Sequence, residues 1–286
     1  PCHATGHWIM LSDKSKSSSS SALTYALAAC GTVAVTALLY RAYKRHSNKM
    51  EKVTFGEANN IPGYEIGDKS APAIIVLQEW WGVTENIKAQ AAQLSKSGYR
   101  CLIPDLYKGK LGLDMEEAHH LMENLDWPAA KEEICAAAKY LKDTGSPSVG
   151  CIGFCMGGAL CLLGAQHSDA IACAAPFYGT PDPSICQTEK ISKPVQAHFG
   201  ELDTMAGFSD PAAAKKLEEN LKAAGGTEST VFLYPGVGHA FMNSLPEPFD
   251  SFEARKETTG MVPPIEEQTA LAWKRVLEFF EKHLKA

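Results

Sequence analysis

The stretch SVGCIGFCMGGALCLLGAQH, residues 148–167, decides how the rest of the chain is read. Its first part, residues 148–154, is an apolar run of strand length, and Met156 to about His167 is an apolar run of helix length. Between them stands Gly153-Phe154-Cys155-Met156-Gly157. A nucleophile held up on a sharp strand-to-helix turn takes an unfavourable backbone conformation, and side chains two residues away on either side would collide across that turn. Glycine at 153 and 157 removes the collision. The sulfur would then sit at a helix N-terminus, where the backbone dipole stabilises a thiolate. The competing reading is a Gly-rich strand end with one more buried thiol.

Working outward, strand-like and helix-like runs alternate. Residues 71–79, 99–105, 170–179, 194–200 and 229–236 read as further strands, and 85–97, 114–124, 128–142 and 211–224 as helices. A closing helix carries Trp273, Val276, Leu277, Phe280 and Leu284 on its apolar face. Strands alternating with helices predict an α/β fold, a mainly parallel sheet with helices on both faces. Residues 243–264 are polar, contain proline and read as a long loop.

The carboxyl ends of parallel strands are where such sheets build sites. Asp203 follows the strand at 194–200, and His239 follows the strand at 229–236. A histidine can take the thiol proton, and a carboxylate can orient the imidazole and stabilise its charged form. Glu79, in Gln78-Glu79-Trp80-Trp81-Gly82, follows the first strongly apolar strand and would face the same cleft. A carboxylate beside a thiolate is repulsive, so a buried Glu79 would favour a neutral Cys155. Each residue also has a plainer reading: loop cap for Asp203, turn residue for His239, helix-entry charge for Glu79, core packing for Trp80 and Trp81. His198 lies inside a strand and reads as a core histidine.

Of the first fifty residues, 1–21 read as a flexible Ser/Lys-rich terminus, 22–40 as a transmembrane or cleaved targeting segment, and 41–50 as a basic linker to a domain spanning 51–286. Met10 is a plausible start residue. Basic residues after the apolar segment favour a cytosolic body if the segment is retained; removal of the segment would leave an organelle-targeted soluble protein. Residues 1–50 carry a net +5 against −6 for the whole chain, which leaves −11 on the remainder. That acidity argues against nucleic acid as a partner. Nine cysteines, mostly in apolar runs, indicate reduced thiols rather than a disulfide framework. No CxxC or HExxH occurs, so no metal site is expected, and a thiol that attacks a carbonyl requires no organic cofactor.

These motifs together resemble the dienelactone hydrolase (carboxymethylenebutenolidase) family of the α/β-hydrolase superfamily. The resemblance runs from about Val53 to Leu284 and rests on QEWWGV (78–83), PDLYKG (104–109), GFCMGG (153–158), FYG (177–179), HFGELD (198–203) and GHAF (238–241). It implies a Cys155–His239–Asp203 triad, with Glu79 as the glutamate that takes up the thiol proton. It also implies an oxyanion site made by the backbone N–H groups of Met156 and Trp80, and a substrate pocket lined by Trp81 and Tyr107. The implied reaction is hydrolysis of a small ester or lactone by a monomeric enzyme; a thioesterase or deacylase working near a membrane and a non-catalytic tethered module are the alternatives. The chain departs from the family in one respect. Bacterial dienelactone enzymes hold a substrate carboxylate with two arginines, where this chain has Lys108-Gly109-Lys110 and Asn243. Asparagine cannot offer the two-pronged grip of arginine, and lysine replaces it only in part. The dienelactone itself therefore does not carry over as substrate, although Lys108 or Lys110 could still attract an anion.

Overall fold

A computed structural model describes residues 49–225 and 228–285. In chain order the elements are β1 (Glu51–Phe55), β2 (Ile61–Ile66), β3 (Ala73–Leu77), α1 (Glu85–Lys96), β4 (Arg100–Pro104), α2 (Met115–Glu123), α3 (Trp127–Asp143), β5 (Val149–Phe154), α4 (Met156–His167), β6 (Ile171–Phe177), β7 (Gln196–Gly200), α5 (Pro211–Ala223), β8 (Thr230–Tyr234), α6 (Phe252–Thr259) and α7 (Glu266–Leu284), with a short 3-10 turn at Thr188–Lys190. The strands form one sheet in the order β1-β2-β4-β3-β5-β6-β7-β8. From β4 to β8 all neighbours are parallel; β1 and β2 are antiparallel additions at one edge.

Alternation along the strands sends side chains to opposite faces. Ile75 and Leu77 join one core layer with Ile134, Leu160 and Leu217, under α3, α4 and α5. Ile74 and Val76 join the other with Ile87, Trp273 and Phe280, under α1 and α7. Five or more consecutive buried residues in β3, β4 and β5 follow from this two-sided cover. Helix entries agree with local chemistry: Asp126 caps α3 through the Ala129 N–H with Pro128 in the first turn, and Asp210 caps α5 in the same way ahead of Pro211.

Two strands were not expected from sequence. In β1 only Phe55 is fully buried, so no apolar run marks it. β2 contains Pro62 and Gly63, which read as a loop; yet a Cβ on Gly63 would lie 2.7 Å from the Ile103 carbonyl oxygen, so the strand pairing itself requires glycine there. The edge is held by a buried ion pair, Arg100 Nε donating to Glu65 Oε1 at 3.0 Å, with the Tyr140 hydroxyl donating to Glu65 Oε2 at 2.9 Å. Residues 243–264 are also more ordered than a loop: α6 lies within them, capped by Ser251.

Among the described residues no helix is long and apolar enough to cross a bilayer. The segment at 22–40, the terminus before it and residues 41–48 of the linker lie outside the described residues.

His198 is a core residue, as its place in a strand suggested. Its ring stacks on Phe177 with centroids 4.2 Å apart, and its Nδ1 lies 2.8 Å from the Tyr234 hydroxyl. Burial, and secondarily the Arg275 charge, lower its pKa from 6.5 to about 3. The folded imidazole therefore stays neutral while the unfolded one protonates near 6.5, so this contribution to stability is complete above that pH and is lost as pH falls toward 3. At pH 4.5 the loss is about 2–3 kcal/mol. In urea titrations, His198→Phe, which keeps the stack, is expected to shrink the stability difference between pH 7 and pH 4.5 by about that amount; an unchanged difference would mean the imidazole is not held neutral.

Candidate active site

β5 ends at Phe154, and Cys155 turns the chain into α4 with φ 55° and ψ −119°. Such a conformation costs a non-glycine residue on the order of 1–3 kcal/mol and persists only where surroundings impose it. Here main chain packs directly on main chain. A Cβ on Gly153 would fall 1.9 Å from the Gly157 carbonyl oxygen, and one on Gly157 would fall 2.4 Å from that of Leu77. A third close approach was not read from sequence: a Cβ on Gly179, beyond β6, would fall 2.0 Å from the Cys155 carbonyl oxygen. The Cys155 N–H donates to the Phe177 carbonyl at 3.0 Å, which ties the turn to β6. Met156 opens α4, so its N–H lacks the intrahelical partner that later residues have.

β7 and β8 bring in the next two residues. Their following loops are laced together by backbone bonds, Glu201 N–H to Tyr234 O and Leu202 N–H to Val237 O, each 2.9 Å. The lacing sets Asp203 against His239, with Nδ1 2.8 Å from Asp203 Oδ2, both side chains buried. Ser209 adds its hydroxyl 3.1 Å from the same Nδ1, and Asp203 Oδ1 accepts the Met205 N–H at 3.1 Å. Burial pushes the His239 pKa down, but the facing Cys155 and the Asp203 carboxylate outweigh it and raise the pKa to about 10. The imidazole is thus a strong proton acceptor. Its Nε2 has no hydrogen-bond partner among the described residues.

Cys155, His239, Glu79, Trp80 and Trp81 line one cleft. Glu79 is buried, its Oε2 accepts from Asn243 Nδ2 at 3.2 Å, and its Oε1 has no partner among the described residues. Burial raises its pKa, opposed by the Asn243 bond and by His239 and Arg255. A carboxyl in that setting can hold a proton. Tyr107 stands one layer back: its hydroxyl donates to Met156 Sδ at 3.4 Å, and its ring lies along a separate groove. Lys108 and Lys110 belong to that groove too, and Lys108 is paired with Glu133. Neither lysine is among the residues that line the Cys155 cleft. Among the described residues no three His, Cys, Asp or Glu side chains gather as a metal site.

The far wall comes from residues 243–264. Glu247, Phe249, Arg255 and Met261 close over the cleft and leave a free volume of about 10 Å³, room for a single water. This strap is tied to α1 by Asn86, which donates from Nδ2 to the Leu245 carbonyl at 3.0 Å and accepts the Leu245 N–H at 2.9 Å. In this arrangement the cleft has no room for a molecule larger than water. Ser209, Gly179, Glu247 and Arg255 were all missed in the sequence. Ser209, Glu247 and Arg255 sit in runs with an ordinary surface or loop composition, Arg255 in a charged run, EARKE, that reads as a solvated face, while Gly179 closes the strand read at 170–179 without any sign of its contact with Cys155.

Comparison with known proteins identifies the family. The model of the dienelactone hydrolase family matches residues 61–284. A carboxymethylenebutenolidase of Rhodococcus opacus is 28% identical over 231 residues, covering 75% of this chain and 82% of its own length. Carboxymethylenebutenolidase 1 of Cupriavidus pinatubonensis is 28% identical over 195 residues, covering 63% and 80%. The crystal structure of P91, a dienelactone hydrolase-like promiscuous phosphotriesterase from metagenomic libraries, shares the fold with a TM-score of 0.69 at 18% identity, covering 82% of this chain and 98% of P91.

Gly157→Ala is expected to cost at least about 2 kcal/mol, a fall in Tm of roughly 5 °C or more, because the added carbon meets backbone rather than a movable side chain. A thermal melt within a degree of the parent would mean the turn is looser than these contacts require.

Proposed function

This chain belongs to the dienelactone hydrolase family, and on that premise we propose that it hydrolyses an ester or lactone with Cys155 as nucleophile, His239 as base and Asp203 as its orienting carboxylate. The observation that carries the reading is the Asp203–His239 bond, 2.8 Å at Nδ1, in the cleft that the Cys155 turn also lines. With Nδ1 committed to the carboxylate, Nε2 is the nitrogen left to move protons.

The steps follow from that assignment. The Cys155 sulfur attacks the carbonyl carbon as its proton passes to His239 Nε2. The oxyanion of the tetrahedral intermediate is stabilised by the backbone N–H groups of Met156 and Trp80. The C–O bond breaks and the leaving oxygen takes the proton from Nε2; in a lactone it stays tethered to the acyl group. Water then attacks the thioester, giving a proton to Nε2, and collapse returns it to sulfur as the acid leaves. Glu79, whose carboxyl is shifted by burial toward its protonated form, serves as a second proton store in the resting cleft.

Cys155→Ala in the full chain is expected to lower kcat/KM for 4-nitrophenyl acetate about a thousandfold or more while leaving Tm near the parent value. Asp203→Asn should cost roughly a hundredfold or more, mostly in kcat. Assayed beside an acyl thioester and dienelactone, the preferred substrate identifies the bond that is cut, and a Cys155→Ala protein retaining most of the rate would remove the nucleophile assignment.

A further inference from the structure

Asn243 lines the Cys155 cleft and also a second, far larger cavity, formed between α1, the strap and α7. Its free volume is about 640 Å³, within the range of roughly 300–1,000 Å³ usual for small-molecule sites. Met242, Phe252, Pro263 and Trp273 give it an apolar wall. Two buried amides complete that wall. Gln90 is 4% exposed; its Nε2 donates to the Met242 carbonyl at 3.4 Å, and its Oε1 has no hydrogen-bond partner among the described residues. Asn243 is 3% exposed; its Nδ2 is given to Glu79, and its Oδ1 also lacks a partner among the described residues. An acceptor buried without a partner is costly, and folds tolerate it where water or a ligand supplies the hydrogen. Two exposed carboxylates line the same cavity, Glu253 in the first turn of α6 and Glu266 in the first turn of α7. Among the described residues no lysine or arginine lines it. Arg255 lies over the Phe252 ring but lines the Cys155 cleft, where Glu79 is the charge it meets.

We propose that this cavity is a second ligand site, which takes a small aryl-alkyl ammonium. The ammonium N–H groups meet Gln90 Oε1, the charge faces Glu253 and Glu266, and the ring packs on the apolar wall beside Phe252 and Trp273. An ammonium carries three donors and no acceptor, which matches a wall whose buried unpartnered atoms only accept. An anion brings no donor and is repelled by both glutamates. Aromatic faces add their own attraction for a cation. The site stands apart from the hydrolase reading, since Cys155 takes no part in it. The two meet at Asn243 alone, whose Nδ2 is bonded to Glu79.

Calorimetric titration of the full chain with 2-phenylethylammonium and with neutral 2-phenylethanol tests the site. The ammonium should bind more tightly than the alcohol, and added salt should narrow the difference. Gln90→Leu should weaken the ammonium about tenfold, because the buried acceptor is lost. Glu253→Gln combined with Glu266→Gln should reduce the preference for the ammonium about threefold to tenfold. Ala270→Trp, which fills the cavity from its exposed wall, should abolish binding of both. The Ala270 and glutamate variants alter exposed side chains and carry the test if Gln90→Leu melts early. Cys155→Ala should bind the ammonium as the parent does, whether or not it still hydrolyses an ester. No binding of the ammonium at millimolar concentration, equal affinities for ammonium and alcohol, or an affinity that Ala270→Trp leaves unchanged overturns the proposal. Loss of binding in Cys155→Ala would place the ligand in the other cleft and overturn it as well.

Discussion

The structure depends on main chain touching main chain around Cys155. At φ 55° the cysteine is held where a side-chain-bearing residue does not rest unaided. It is held because Gly153, Gly157 and Gly179 let the turn lie against β3, against its own following helix and against the end of β6. A methyl group at any of the three would force these layers apart. Burial of the adjoining helix offsets the strain: α4 runs through the middle of the protein with every residue from Met156 to Ala165 buried, so its position is set by packing on all sides. The side chain on such a turn is presented without relying on a flexible loop.

Charge is the second organising constraint. In a cleft this enclosed, a polar group without a partner is expensive and a paired one is strongly coupled. Asp203 and His239 satisfy each other, with Ser209 as a second donor or acceptor on the same nitrogen. Glu79 has one oxygen bonded to Asn243, and burial moves its carboxyl toward the protonated form. Arg255 has no hydrogen-bond partner among the described residues, and the nearby Glu79 charge and the Phe252 ring are what offset its own. For His239 burial alone would lower the pKa, and the facing charges of Cys155 and Asp203 reverse that.

The sheet explains how distant residues meet. β3, β5, β7 and β8 all point the same way, so residues 79, 155, 203 and 239 emerge along one edge. The strap crosses above that edge, pinned at one end by Asn86 and continued at the other into α7. Residues 79, 155, 203 and 239 come from strand ends packed in the core, whereas the cover comes from a segment tied to α1 through Asn86.

By itself the sequence determined the alternation of strands and helices, the Gly-x-Cys-x-Gly turn, and the order in which Cys155, Asp203 and His239 leave their strands. These were legible because apolar periodicity and obligatory glycines are local properties of a chain. It also placed Glu79 at a strand end and His198 in the core. β1 and β2 escaped notice because an edge strand needs no apolar run and β2 hides behind Pro62 and Gly63. Tyr107, Lys108 and Lys110 follow β4, which β3 separates from β5, and they line a different groove although the Tyr107 hydroxyl still reaches Met156; backbone direction over a few residues is not written in composition. Only the tertiary structure decided that Ser209 reaches His239, that Gly179 touches Cys155, and that an arginine from a charged surface-like run ends buried over the cleft. Each of these depends on a contact between residues tens of positions apart, and such contacts follow from how the packed layers meet.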